Sequence, residues 1–450
     1  MAKPMARLRS VMAGQLGRSS RGRTSSLSRL ALSPQLPPSS YSTSTPSPGH
    51  SHEQAHPAPH FHPLIPLKIL HPVGKKNPVD TPLPPLADLE NEAFAVKVYE
   101  LMLGLPILDT YMSNLQRHGR ISFYMTSYGE EGAVVGSAAA LGEHDEVYAQ
   151  YREQGILLWR GCGLDYLMAQ CFGSVEDGSS KGRQMPVHYA STKHHFHSIS
   201  SPLATQIPQA AGAAYALKRM RQKRERLDDC VVCYLGEGAA SEGDFHAGVN
   251  MASVLGGPIV FFIRNNGFAI STPSSQQFKG DGIASRAAGY GIDAIRVDGN
   301  DPLAVYLATR EARRRALEGP GRAVMVEAMT YRVGHHSTSD DSSAYRNPSE
   351  VDQWRKRDNP INRMRTFLES RAWWDAAKEE ARIKQWKSDI SKSVKRTEKL
   401  SKPSLKDMWT DTYGTAQVHL EQQRLESDRI INKYSEYRPY KEELNKFSRD

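Results

Sequence analysis

The sequence predicts an α/β fold, in which a mainly parallel sheet is flanked by helices and followed by a helical C-terminal segment. Short apolar runs of strand length alternate with segments of helical periodicity between residues 230 and 332. Repeated strand–helix–strand units are typical of a parallel sheet with right-handed connections. After about residue 348 the chain is charged, contains several tryptophans and keeps a helical character to its end.

Local patterns define the individual elements. Residues 87–119 carry apolar side chains at helical spacing and predict the first long helix. Residues 239–256 predict a helix that ends at a glycine, and Asp301 followed by Pro302 is a favourable start for a helix over residues 302–319. The predicted strands are residues 230–236, 258–266, 293–301 and 322–332. Because parallel sheets bind ligands at the carboxyl ends of their strands, we expect the functional site at that edge.

Composition divides the chain into four parts. Residues 1–45 are rich in Arg, Ser and Leu, and no acidic residue precedes Glu53. This composition, without an apolar core, predicts a mitochondrial transit peptide; the alternative is a disordered basic tail. Residues 46–87 are dense in Pro, Ser and His and predict an extended arm. Residues 88–347 predict a ligand-binding α/β domain, and residues 348–450 predict the helical C-terminal segment.

The charge distribution does not indicate a nucleic-acid-binding protein. The formal net charge is +9, but seven basic residues and no acid stand before Glu53, and subtracting those seven leaves +2 for the rest. We therefore expect no basic nucleic-acid face. No run of about 18 apolar residues is present, so no membrane insertion is predicted.

The four cysteines indicate a reducing compartment rather than a disulfide framework. Cys230 and Cys233 form a C-x-x-C pair, a pattern that also occurs at redox and zinc sites. The pair lies in an apolar run that predicts a buried strand, and no second C-x-x-C is present to complete a zinc site. We therefore interpret both cysteines as core residues.

The chemistry is concentrated in residues 236–272, GEGAASEGDFHAGVNMASVLGGPIVFFIRNNGFAIST. Glu237 stands at the end of one predicted strand, and Asn265 and Asn266 end the next strand about thirty residues later. Adjacent parallel strands would bring these ends together, and carboxylate and amide oxygens suit a hard cation such as Mg²⁺. The glycines allow backbone amides to approach a phosphate at a helix N-terminus. The pattern indicates a diphosphate held through a divalent metal; the alternative is two unrelated turns.

This spacing resembles the motif of thiamine diphosphate enzymes, G-[DE]-G followed by N-N. The resemblance extends over nearly all of residues 88–450 and is closest to α subunits of the decarboxylating component of mitochondrial 2-oxoacid dehydrogenases. Glu237 and the stretches SEG and HHSTSDDSSAYR favour the branched-chain type over the pyruvate type, which usually carries G-D-G-A-A-N-Q-G. Further similar stretches are YREQG, KGRQMPVHY, SSPLATQIPQAAGAAYA, GDGIASRAAGYGI, RVDGND and WW. The resemblance implies a thiamine diphosphate-binding fold for the α/β domain.

The same resemblance implies a set of site residues. The Mg²⁺ ligands would be Glu237, Asn266 and the backbone carbonyl of Phe268, where the family commonly has Tyr. The residues implied to bind the cofactor are Tyr151, Arg152, Ser201, Leu203, Gly236, Gly238, Ala239, Arg264 and His336. Arginine suits this role because its guanidinium contacts phosphate with two donors. A potassium site would use Ser200, the carbonyl of Pro202, Thr205 and Gln206; the alternative for this stretch is a polar turn that caps a helix.

The implied reaction is oxidative decarboxylation of the branched-chain 2-oxoacids from Leu, Ile and Val catabolism in the mitochondrial matrix. The acyl group passes to a lipoyl arm of the transacylase core, and His336 is the candidate catalytic residue because histidine transfers protons near neutral pH. The carboxylate that activates the aminopyrimidine ring is expected from a β subunit in an α₂β₂ assembly, so the α chain alone should be inactive. The alternatives are a pyruvate dehydrogenase α subunit and a catalytically silent structural or regulatory subunit.

The stretch GHHSTSDDSSAYR, residues 334–346, is interpreted as a catalytic loop that contains a regulatory serine. Ser337 resembles the family's inhibitory phosphorylation site, which implies a regulatory kinase and a phosphatase. Asp340 is expected either to form a capping box with Ser337 or to pair with Arg332. His335 is predicted to be structural. The family's second phosphorylation site lies just after the AYR stretch, where this chain has Asn347, so we expect control through a single site.

Overall fold

A six-stranded sheet forms the centre of the computed structural model, which describes residues 68–70, 91–404 and 407–437. The predicted transit peptide and most of the predicted arm lie outside the described residues. The strand order is β1 (Lys68–Leu70), β7 (Asp293–Asp298), β8 (Ala323–Met329), β4 (Ile259–Asn265), β3 (Val231–Gly236) and β2 (Glu146–Tyr148). β1 is antiparallel to β7, and the other neighbours pair in parallel. The predicted mainly parallel sheet is confirmed. β5 (Phe268–Ala269) and β6 (Thr272–Pro273) form a separate antiparallel pair.

Helices precede and connect the strands. They are α1 (Glu92–Arg117), α2 (Glu131–Ala139), α3 (Gln154–Trp159), α4 (Leu164–Cys171), α5 (Gln206–Gln222), α6 (Gly243–Leu255), α7 (Ser274–Gln277), α8 (Ala287–Tyr290), α9 (Pro302–Ala316), α10 (Pro348–Arg357), α11 (Pro360–Ser370), α12 (Ala376–Thr397), α13 (Asp407–Thr410) and α14 (Val418–Lys433). The predicted start of α9 is confirmed, because the Asp301 carboxylate accepts hydrogen bonds from the amides of Leu303 and Ala304, both at 3.0 Å. Among the described helices, none has the length and apolar character needed to cross a membrane.

Side chains of the central strands alternate between two apolar cores. Val232 and Tyr234 of β3 lie in the core on one face of the sheet, whereas Val231 and Leu235 lie in the core on the other face. Helices α1, α2, α4 and α9 contribute to the first core, and α5 and α6 contribute to the second. Both faces of the sheet are therefore covered, which explains why β3 and β4 are almost continuously apolar.

The two cysteines of the C-x-x-C pair belong to different cores. Cys230 packs in the first core and Cys233 in the second, because side chains of a strand alternate between the two faces of the sheet. Both thiols are free and buried, and burial raises the pKa of each thiol above its ordinary value. This placement supports the interpretation of both cysteines as core residues.

The helical C-terminal segment packs on the first long helix. Met364 and Leu368 of α11 share a core with Met102 and Leu105 of α1. Trp386 of α12 lies beside Gly104, where an added Cβ would overlap the indole ring. The indole nitrogen of Trp386 donates to the carbonyl of Glu100 at 3.0 Å. These contacts fix α11 and α12 against α1.

Candidate active site

Three parallel strands end side by side at the carboxyl edge of the sheet. Gly236 of β3 pairs in register with Arg264 of β4, and Arg264 pairs with Ala328 of β8. Glu237 directly follows β3 and Asn266 directly follows β4, so the two residues are neighbours. The backbone amide of Asn266 donates to Oε2 of Glu237 at 3.4 Å, so the proximity predicted from their spacing is confirmed.

The polar atoms at this edge fit a hard cation. Glu237 is 1% exposed, and its Oε1 is buried without a hydrogen-bond partner. Burial raises the pKa of Glu237 to about 7. Oδ1 of Asn266 accepts the amide of Phe268 at 3.1 Å, so this oxygen and the Phe268 backbone are held together. A buried carboxylate oxygen without a partner is costly, and a divalent cation with oxygen ligands would compensate it.

The turn after β3 leaves no room for a side chain. A Cβ added to Gly238 would lie 2.7 Å from the Cβ of Ala269, so the turn packs directly on β5. The amide of Gly236 donates to Oε1 of Gln150 at 2.9 Å, whereas Nε2 of Gln150 is buried without a partner. Ala239 is buried and begins a single turn of 3₁₀ helix. The predicted glycine cradle for a phosphate is therefore a tight, preformed turn.

Arg264 lies in a buried ion-pair cluster. Its Nε donates to Oε1 of Glu153 at 2.6 Å, and its Nη1 pairs with Glu130. Burial alone would lower the pKa of Arg264, but Glu153 and Glu130 hold it above its ordinary value. Neither carboxylate was predicted from the sequence as a site residue. Glu153 lies within the similar stretch YREQG. Glu130 and Glu131 stand together at the start of an apolar helix, a position where acids ordinarily interact with the helix dipole, so their sequence context gave no sign of a role in the site.

Tyr151, Arg152 and His336 come together as predicted. The hydroxyl of Tyr151 lies 3.2 Å from Nε2 of His336, and Arg152 donates to the backbone carbonyl of His336 at 2.6 Å. Arg152 also donates to the carbonyl of Thr126. Burial, together with the charges of Arg152 and Arg332, lowers the pKa of His336 to about 3. The imidazole is therefore neutral near pH 7.

Tyr345 lies between Arg332 and Asp340, which corrects the expected direct pair. Arg332 donates to the Tyr345 hydroxyl at 3.3 Å, and that hydroxyl donates to Oδ2 of Asp340 at 2.7 Å. The same oxygen accepts the amide of His336 at 2.7 Å. The capping-box expectation is also wrong, because Ser337 Oγ accepts the amide of Ser339 and no helix begins there.

His335 has the structural contacts expected of it. Its Nδ1 accepts the amide of Ser342 at 2.9 Å, and the Ser342 hydroxyl lies 2.9 Å from the same nitrogen. Arg346 donates to the Ser342 hydroxyl at 2.6 Å and to the carbonyl of Gly334 at 2.7 Å. Asn347 caps α10 through the amide of Ser349. These bonds join the two ends of the 334–346 loop.

The predicted potassium-binding stretch is the loop that leads into α5. Thr205 Oγ1 donates to the carbonyl of Pro202 at 3.1 Å, and Ser200 stands two residues before that proline. Gln206 is buried and donates through Nε2 to the carbonyl of Tyr234 at 3.0 Å, which attaches the start of α5 to β3.

The two cofactor-binding residues predicted in this loop are exposed. Ser201 Oγ lies 2.6 Å from Nε2 of His188, and the side chain of Leu203 is open to solvent. Their assignment to the cofactor rings stays a prediction.

Histidine, cysteine and carboxylate side chains do not form a metal centre by themselves in the described part of the chain. No group of three or more such residues there is arranged to hold a metal ion. The predicted magnesium set contains one carboxylate, one amide and one backbone carbonyl, so it does not depend on such a cluster.

Comparison with known proteins agrees with the resemblance found in the sequence. The family model of the dehydrogenase E1 component matches residues 99–406. The mitochondrial 2-oxoisovalerate dehydrogenase subunit alpha of Macaca fascicularis is 54% identical over 76% of this chain and 76% of its own length. The subunits of that name from Homo sapiens and Caenorhabditis elegans are 53% and 49% identical, over 76% and 79% of this chain and 76% and 80% of their own lengths. The chain belongs to the dehydrogenase E1 component family.

Proposed function

We propose that this chain is the α subunit of a mitochondrial, thiamine diphosphate-dependent enzyme that oxidatively decarboxylates branched-chain 2-oxoacids and transfers the acyl group to a lipoyl arm. Membership of the E1 family and the names of its relatives support the reaction class and the compartment. The single observation that carries the site is the buried, unpartnered Oε1 of Glu237 beside Asn266. An arrangement of this kind has no evident use in a purely structural subunit.

Different residues at the carboxyl edge are proposed to bind the metal ion and the diphosphate of the cofactor. Glu237, Asn266 and the carbonyl of Phe268 would hold Mg²⁺, and the turn at Gly236, Gly238 and Ala239 would present amides to the diphosphate. When bound, thiamine diphosphate supplies the electron sink that allows carbon dioxide to leave the 2-oxoacid. The residues proposed to surround the rest of the cofactor are Tyr151, Arg152, Ser201, Leu203 and Arg264.

His336 is the proposed catalytic residue. Its imidazole is neutral, and its Nε2 is held near the Tyr151 hydroxyl at 3.2 Å. Arg152 fixes the His336 carbonyl and Asp340 fixes the His336 amide, so the backbone of this residue is held from both sides. We propose that His336 assists acyl transfer to the lipoyl arm once the cofactor is bound, because a negative diphosphate would partly offset the charges of Arg152 and Arg332 that lower its pKa.

A β subunit is the proposed source of the carboxylate that activates the cofactor, in an α₂β₂ assembly that serves a transacylase core. The purified α chain should bind neither cofactor nor substrate productively and should be inactive. Activity of the α chain alone would contradict this assignment. Potassium at Ser200, Pro202, Thr205 and Gln206 is part of the same proposal, and replacing K⁺ by Na⁺ should weaken cofactor retention by the assembly.

Regulation is proposed to act through Ser337 by a kinase and a phosphatase. A phosphate adds about −1.5 to −2 charges and would stand next to His336 and near Asp340, where repulsion disorders the loop. Ser337→Ala should leave the assembly active after kinase treatment. Loss of activity in that variant would place the regulatory site elsewhere.

The decisive test of the function uses the reconstituted assembly. Glu237→Ala should abolish magnesium-dependent uptake of thiamine diphosphate and activity together, whereas a silent subunit would lose neither. A substrate panel should then favour 2-oxoisovalerate over pyruvate. The size of the acyl pocket sets this preference, and each methylene contributes only about 1–3 kcal/mol. A preference for pyruvate would assign the chain to the alternative substrate type.

A further inference from the structure

Glu130 is an acidic helix N-cap whose carboxylate does not cap its helix. It precedes α2, makes no side-chain capping bond and is 0% exposed. Its Oε1 accepts Nδ2 of Asn266 at 2.5 Å, and its Oε2 pairs with Nη1 of Arg264. We propose that Glu130 is a positioning residue that orients the metal-binding amide of Asn266 and the phosphate-binding guanidinium of Arg264 as one unit. This inference rests on the magnesium–diphosphate site proposed above.

The orientation of an asparagine amide decides whether it can bind a cation. Only the oxygen is a ligand, and the amide can turn by half a revolution to present its NH₂ group instead. A carboxylate paired with an arginine accepts hydrogen bonds and donates none, so Glu130 selects the NH₂ group of Asn266. The oxygen must then point the other way, where it meets the amide of Phe268 at 3.1 Å. Glu130 thus fixes the orientation that Mg²⁺ requires.

The same carboxylate joins the two halves of the site. Asn266 is proposed to bind the metal and Arg264 the diphosphate, and Glu130 contacts one with each oxygen. Glu153 holds the other side of Arg264 at 2.6 Å but has no bond to Asn266. Partners of metal ligands typically change metal affinity by about 10–100-fold when they are mutated. Removing the charge of Glu130 should therefore affect metal and diphosphate binding together.

The test measures cofactor uptake rather than turnover. The α₂β₂ assembly is stripped with EDTA, and calorimetry gives the Mg²⁺ concentration needed for half-maximal binding of thiamine diphosphate. Glu130→Gln should raise that concentration about 10–100-fold. Glu131→Gln is the matched control, because Glu131 is the next residue and equally buried, and its carboxyl group accepts the amide of Gly129 at 3.0 and 3.1 Å rather than a bond from Asn266 or Arg264. The control should shift the concentration by less than about twofold.

A double variant tests whether the side chains at positions 130 and 266 must match as donor and acceptor, rather than only fill space. Combining Glu130→Gln with Asn266→Asp reverses the donor and acceptor across the contact and keeps the net charge of the pair. The swap should therefore bind Mg²⁺ more tightly than either single variant, since Asn266→Asp alone sets two carboxylates against each other.

Three outcomes decide the inference. An unchanged Mg²⁺ requirement in Glu130→Gln, with a normal wild-type response, would overturn it. The inference would also be overturned if the double variant bound Mg²⁺ no more tightly than the single variants at an unchanged melting temperature. If Glu130→Gln does not fold, the double variant is compared with Asn266→Asp alone. Absence of magnesium-dependent uptake by the wild-type assembly would instead refute the proposed site, and this inference with it.

Discussion

The two edges of the central sheet differ in whether their buried polar atoms have hydrogen-bond partners. At the amino edge, where β2 begins, Asp145 is fully buried and both its oxygens have partners: the amides of Gly142 and Cys230, at 2.7 and 2.9 Å, and Arg313, at 2.7 Å. At the carboxyl edge, Glu237, Gln150 and Arg332 each retain a buried polar atom without a partner. The protein pairs both oxygens of the buried Asp145 carboxylate at the first edge, whereas it leaves these individual polar atoms unpaired at the second.

This difference separates stability from function. Buried polar groups are normally paired, because an unpaired one costs free energy of folding. Asp145 at the amino edge follows that rule, and its pair with Arg313 ties α9 to the starts of β2 and β3. The carboxyl edge departs from it at Glu237, which is proposed to bind Mg²⁺, and at Gln150 and Arg332. Local departures from polar satisfaction are expected where a ligand completes the site.

The largest expected effect is the loss of Asp145. Asp145→Ala leaves the Arg313 guanidinium and two backbone amides without their acceptor, and removing one partner of a buried pair costs about 3–5 kcal/mol. Urea unfolding of the assembly should show this loss in the free energy of unfolding. The folded fraction should still bind thiamine diphosphate with wild-type affinity. Weakened cofactor binding in the folded fraction would show that the amino edge contributes to function as well as to stability.

Gly238 tests the other edge. In Gly238→Ala the new Cβ meets Ala269 at 2.7 Å and displaces the turn, and overpacking of this kind typically costs about 1–3 kcal/mol. Here the cost should fall on cofactor affinity, which isothermal titration of the assembly measures. Gly243→Ala is the control, because a Cβ at that position meets no atom within 4 Å. Equal losses of affinity in the two variants would show that the turn is not a tight cradle.

The sequence was sufficient for much of the architecture, because the central strands are long and apolar. β3, β4 and β8 were predicted from such runs, and β7 was predicted although three of its six residues are charged. β2 has only three residues and begins with Glu146 directly after Asp145, and β1 lies in a Pro- and His-rich stretch, so neither carried a strand pattern. Short strands at the sides of a sheet depend on pairing with a neighbour, which local composition does not reveal.

The site was predictable where its residues lie on adjacent strands, and not where contacts join distant segments. The spacing of Glu237 and Asn266 placed them together in advance. Glu130 and Glu153 contact Arg264 across 134 and 111 residues, and no local pattern connects them. The expected pairing of Arg332 with Asp340 was wrong because charge complementarity alone ignored the hydroxyl of Tyr345.

Tyr345 tests a case between the fully paired Asp145 and the unpaired Glu237 oxygen, since contacts within the 334–346 loop pair only some of its polar atoms. Tyr345→Phe removes the hydroxyl that joins Arg332 to Asp340, and losing such a bond costs about 0.5–1.5 kcal/mol. The amide of His336, which donates to Asp340, should then exchange its hydrogen with solvent several times faster. A loss of about 1.4 kcal/mol corresponds to a rate about tenfold higher. Tyr215→Phe, at an exposed position on α5, is the control. Unchanged exchange at His336 would show that the loop does not depend on this hydroxyl.

The smallest expected effect belongs to Glu146, which stands beside Asp145 but is partly open to solvent. Burial opposes its ionisation, but His197, Arg226 and His195 outweigh it and lower the pKa of Glu146 to about 2 from its ordinary value of about 4.5. A lowered pKa contributes stability that is complete above pH 4.5 and is lost as the pH falls toward 2. Since its partners are solvent-screened, Glu146→Gln should cost only about 1 kcal/mol at pH 7.

Urea unfolding across this pH range should show the wild-type advantage shrink as the pH falls below 4.5. A difference between wild type and Glu146→Gln that stays constant down to pH 2 would mean that the carboxylate charge is not what stabilises the amino edge. Its hydrogen bonds to His195 and His197 would then carry the effect, because a neutral amide oxygen could accept only part of them. The contrast between the two edges would in that case lie in hydrogen-bond completion rather than in charge, since Asp145 also accepts two backbone amides.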